Sequence, residues 1–82
     1  VNTAQARALL AQIEQITSGD FELRTDYSGR GMYHKRAAVA VVIDRAPASP
    51  VGIGLLALGL RVDRMADEFV YYTAESIREN AK

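Results

Sequence analysis

The chain has 82 residues, with ten basic and ten acidic side chains, one histidine, and neither cysteine nor tryptophan. At 49% hydrophobic and 24% charged residues it is too apolar for a disordered chain, and residues 1–82 are expected to form a single compact α+β domain. The lack of cysteine excludes a disulfide framework and any thiolate metal site, and zero net charge argues against both a dedicated DNA binder and an acidic nucleic-acid mimic.

The first predicted element is a helix. Ala6, Leu9, Leu10, Ile13 and Ile16 make one apolar stripe, Asn2 and Gln5 have capping-box spacing, and Gly19 suits the residue past the helix end. From Asp20 the period changes to two. Phe21, Leu23, Thr25 and Tyr27 alternate with Glu22, Arg24 and Asp26, the pattern of a half-buried strand. Ser28-Gly29-Arg30-Gly31 then reads as a hairpin turn, followed by Met32 to Arg36 and a strand, Ala37 to Ile43, that is apolar on both faces. Such a strand is central or covered on both sides, and its alanines would admit a helix closely.

Ala46-Pro47-Ala48-Ser49-Pro50 is a rigid connector, with Ser49 as N-cap and Pro50 as first residue of a second helix. Gly52, Gly54 and Gly59 weaken that helix, so close packing against the alanine-rich strand is their expected reason. Asp63 to Glu68 is polar, and Phe69 to Thr73 is aromatic and β-prone. A helix also fits Ala66, Phe69, Val70, Thr73 and Ile77, but a third strand makes a more usable sheet. A short tail from Glu75 to Lys82 has room for a helical turn or two. The expected fold is α-β-β-α-β, a three-stranded antiparallel sheet packed with two helices on one face. The longest apolar run, Val51 to Leu60, is too short to span a membrane, no secretory signal is seen, and a cytoplasmic location is expected.

The zero net charge is a cancellation. Residues 1–26 carry a net −2, residues 27–62 a net +4, and residues 63–82 a net −2. Arg30, Lys35 and Arg36 concentrate the middle excess beside His34, and Tyr27, Met32 and Tyr33 flank the glycine turn. Tyrosine and arginine dominate interface hot spots, and a basic patch steers acidic partners. These six residues, Tyr27, Arg30, Met32, Tyr33, Lys35 and Arg36, form the candidate partner-binding surface. Arg30 is its ionic anchor, Tyr27 and Tyr33 its aromatic anchors, and Lys35 and Arg36 steer. The competing reading is a solvated hairpin whose glycines serve backbone geometry alone. Gly29-Arg30-Gly31 also has the composition of an anion-binding nest.

Catalysis has weak support. Asp26, Ser28 and His34 include the residue types of a hydrolytic triad, but an open hairpin supplies no pocket or oxyanion hole. Gly52-Ile53-Gly54-Leu55-Leu56-Ala57 matches a loose dinucleotide pattern in the wrong context, with a proline-containing connector before it and too little chain after it. No enzymatic activity, cofactor or metal is expected.

The block Asp26-Tyr27-Ser28-Gly29-Arg30-Gly31-Met32-Tyr33, with the later Arg61-Val62-Asp63-Arg64-Met65 and Phe69-Val70-Tyr71-Tyr72, resembles a group of short phage- and prophage-associated bacterial proteins. Small mobile-element proteins of that class include anti-CRISPR inhibitors. The resemblance implies a non-enzymatic inhibitor that binds a host protein or complex, a CRISPR effector being the specific expectation, and blocks it sterically. It supplies no catalytic residue. The His34-Lys35-Arg36 stretch is more basic than the group's pattern, so the partner need not be the one other members of the group bind. Two alternatives stand beside this: a small anion- or nucleic-acid-binding module using the basic turn, and a structural homo-oligomer pairing through the edge of the aromatic strand.

Overall fold

The structure is a computed structural model and describes residues 2–33 and 35–76. It is α+β, with helix α1 (Thr3–Thr17), strands β1 (Glu22–Arg24) and β2 (Ala40–Ile43), helix α2 (Pro50–Ala57), and strands β3 (Arg61–Met65) and β4 (Glu68–Tyr72).

Local sequence sets both helix ends. The Asn2 carboxamide accepts from the Gln5 amide at 2.7 Å, and the Asn2 amide donates to the Gln5 side chain at 2.9 Å, satisfying two otherwise orphaned donors at the start of α1. Ser18 closes the helix in the left-handed region at φ 57°, followed by Gly19 at φ 77°. Ser49 caps α2 by accepting from the Gly52 amide at 3.1 Å, with Pro50 at the first helical position. The glycines of α2 have a different reason from the expected one. A Cβ on Gly52 would collide with the Ala46 carbonyl oxygen of the connector and crowd the Tyr71 hydroxyl; one on Gly54 would press on Ile16 of α1. Gly59 lies past the helix end at φ 93°. The helix is packed against its own connector and α1 at these points.

The sheet has four strands, not three, in the order β1-β2-β4-β3, every neighbouring pair antiparallel. β2 and β3 run in the same direction with β4 between them, so β2-α2-β3 is a crossover split by β4. The missing strand is β3. Its Arg-Val-Asp-Arg-Met sequence is polar because it is an edge strand, and charged side chains are what a sheet edge tolerates. Only Ala66 and Asp67 remain as the turn to β4, with Ala66 at φ 49°. The aromatic strand is the expected strand and not a helix, but it is interior. Edge-to-edge pairing through this strand is therefore closed, since β2 and β3 flank it on both sides.

β2 is covered on both faces, as its unbroken apolar run requires. One face, carrying Val39, Val41, Ile43 and Tyr71, packs under α1 and α2 through Ile13 and Leu55. The other carries Ala40, Val42, Val70 and Tyr72, and here Met32 and Ala37 of the β1–β2 connection lie on it. The expected tight hairpin is absent: β1 and β2 do pair, but residues 27–33 and 35–37 of their connection fold back as a third layer, through Tyr27, Met32 and Ala37, on the sheet. Ala40 faces this layer and not a helix. Where the ladder frays, the Thr73 hydroxyl accepts from the Ala38 and Val39 amides at 2.8 and 3.2 Å. His34 and the expected tail helix beyond Ser76 lie outside the described residues.

Candidate partner-binding surface

The layer of residues 27–33 and 35–37 is held from beneath and from within. Met32 is 5% exposed and sits in the second core. Its amide donates to the Gly29 carbonyl at 3.1 Å, its sulfur lies 3.3 Å from the Gly29 amide, and its carbonyl accepts from Lys35 at 3.0 Å. The Ser28 hydroxyl donates to the Tyr33 carbonyl at 2.8 Å, and the Ala37 amide to the Tyr27 carbonyl at 2.8 Å. Gly29 is required here because a Cβ would overlap the Tyr72 ring.

A second fastening joins the layer to the sheet. The Tyr27 hydroxyl donates to Asp63 on β3 at 2.5 Å, Tyr72 reaches the other carboxylate oxygen at 3.4 Å, and the two rings meet at 5.1 Å with a 55° tilt. Such aromatic pairs are favourable beyond the area they bury. Desolvation pushes the Tyr27 phenol above its ordinary value, and the hydrogen bond to Asp63 and its charge push it further. Tyr72 is raised by burial first and Asp63 second. Tyr71, whose hydroxyl donates to the Arg45 carbonyl at 2.7 Å, is raised by burial.

The six candidate residues therefore divide. Tyr33 is 88% exposed, and Arg30 and Lys35 are exposed near it. Tyr33 and Lys35 border a hollow of about 420 Å³ that reaches Gly31 and Ala74. Tyr27 and Met32 are corrections: Tyr27 is half-buried with its hydroxyl engaged by Asp63, and Met32 is core. Arg36 turns the other way, lining a groove of about 610 Å³ with Arg7 of α1 and Arg24 of β1. The Gly29-Arg30-Gly31 nest is not formed, since the Gly29 amide is directed at the Met32 sulfur. The Ser28 hydroxyl is likewise committed, to the Tyr33 carbonyl. Sequence reasoning missed Asp63, Arg7 and Arg24, which reach these places only through the sheet order and the α1 packing.

Tyr33 itself carries an unusual backbone. Its φ of 61° lies in the left-handed region, uncommon for any non-glycine residue and more so for an aromatic one. Among the described residues no group of three or more histidine, cysteine, aspartate or glutamate side chains is placed to hold a metal, and no helix is long and apolar enough to cross a membrane. The sequence matches no family model, and no curated protein or solved structure matches it significantly.

Proposed function

We propose that the protein is a non-enzymatic protein-binding module whose contact surface is the tip of the layer between β1 and β2, with Tyr33 as aromatic anchor and Arg30 and Lys35 as cations. The observation that supports this most is Tyr33 itself: a nearly fully exposed aromatic, in left-handed backbone, fixed by Ser28 above a buried methionine. Strained backbone at a displayed side chain is characteristic of ligand contacts, where the surrounding structure over-determines the geometry. A solvated turn would have no use for an aromatic there, and tyrosine beside arginine is hot-spot composition. The partner presents an acidic, partly apolar surface. The finer reading, an inhibitor encoded by a phage or other mobile element that blocks a bacterial host defence complex, rests on the resemblance of the Asp26–Tyr33 block.

The test is quantitative affinity capture from bacterial lysate, using wild-type protein, Tyr33→Ala and Lys35→Glu as parallel baits matched for thermal stability. One partner recovered by wild type and reduced about tenfold or more by each variant is the expected result. Equal recovery by all three baits would overturn the assignment of this surface.

A further inference from the structure

The groove between α1 and β1 has an apolar floor, made by Ala6 and Leu10 of the helix, Leu23 of the strand and Val39. Among the described residues, its charged lining is Arg7, Arg24 and Arg36. Arg7 and Arg36 make no ion pair among the described residues, and Arg24 has only a loose one to Asp26 at 3.9 Å. Asp26 and Glu22 are nearby acids, but neither lines the groove. Leu23 is 49% exposed, a large apolar side chain left on an edge strand.

The strand beneath also has free hydrogen-bonding capacity. The Thr73 amide donates to the Val39 carbonyl, so by antiparallel alternation the peptide groups of Val39 and Val41 face β4, and those of Ala40 and Val42 face β1. Arg24 and Glu22 are opposite Ala40 and Val42 and use that ladder. Leu23, opposite Val41, therefore points its N–H and C=O off the outer edge of the sheet, where no described residue meets them. Its side chain shares the helix-covered face with Val41, while Arg24 lies on the opposite face.

We propose that this groove binds an extended peptide of alternating apolar and acidic residues, added to the sheet as a strand beside β1. The peptide backbone would pair with Leu23, its apolar side chains would enter the floor beside Ala6 and Leu10, and its carboxylates on the other face would meet Arg24 and Arg36. Strand addition to an exposed edge is a recurrent mode of peptide recognition, in which backbone pairing supplies affinity and alternate side chains supply specificity. The site is separate from the Tyr33 surface, and either can fail without the other.

The test uses the full chain and a (Glu-Val)3-amide peptide carrying fluorescein on its N-terminal amine, read by anisotropy at low salt, with the (Lys-Val)3 counterpart for charge and sodium decanoate as competitor. The acidic peptide is expected to bind about tenfold or more tighter than the basic one and to weaken as salt rises. Arg36→Glu should weaken it several-fold, and Tyr33→Ala should leave it unchanged. In the wild-type protein, bound peptide should slow hydrogen exchange at the Leu23 amide, a readout independent of any variant's folding. Equal affinity for the two peptides would overturn the proposal. So would displacement by decanoate with Leu23 exchange unaltered, which would identify a site for small amphiphiles.

Discussion

The Tyr27–Asp63 hydrogen bond ties a loop to an edge strand 36 positions away in sequence, and both groups are partly withdrawn from water. Tyr27→Phe removes the donor and leaves Asp63 with the longer contact to Tyr72, so a loss of about 1–2 kcal/mol is expected in urea unfolding. The same bond predicts alkaline sensitivity. Tyr27, Tyr71 and Tyr72 all hold their protons more tightly folded than unfolded, chiefly through burial. Their contribution is fully present below the ordinary tyrosine value of about 10. Above it the unfolded chain releases protons first, so stability falls as pH rises. Thermal melts between pH 8 and 11 should show that decline, and a shallower one for Tyr27→Phe; an unchanged slope would remove Tyr27 from the explanation. Gly29→Ala is expected to cost about 1–3 kcal/mol, because the new methyl must displace the Tyr72 ring from a packed core.

Elements whose signals are local were legible in the sequence. Asn2 and Gln5 announce α1, Ser49-Pro50 announces α2, and the apolar run ending at Ile43 demands cover on two sides. Asn2→Ala should lower stability by about 1 kcal/mol in denaturant titration, since the Gln5 amide loses its side-chain acceptor while the backbone amide at position 2 still donates to Gln5. β3 was not legible because its strand character comes from pairing with β4, and an edge strand shows solvent its charges. The turn beyond it makes a sharper prediction. Ala66 at φ 49° accepts glycine with a change within about 0.5 kcal/mol, the relief of left-handed strain offsetting the more flexible unfolded chain. Ala66→Val, branched at Cβ in the same conformation, should be destabilising by about 1–2 kcal/mol. Paired thermal melts distinguish these outcomes, and equal midpoints for the two variants would contradict the backbone argument.

Across the whole molecule, the sheet is sandwiched: two helices on one face and the layer of residues 27–33 and 35–37 on the other. The chemistry of the candidate surface was partly readable, since the residues with tyrosine, arginine and lysine side chains do cluster in that segment. Which of them face outward was not. Met32 is buried by Val42, Val70 and Tyr72, and Tyr27 is held by Asp63, so their placement depends on strands that form far along the chain. Arg36 is separated from Tyr33 by only three positions, yet it lines the α1–β1 groove. The central claim is that this layer is a rigid platform displaying Tyr33, in place of a solvated hairpin turn. Backbone NMR order parameters for residues 27–33 and 35–37 test it most directly. Values of roughly 0.8 or above, matching β2 and β4, are predicted; values below about 0.6, as in a flexible loop, would contradict the account.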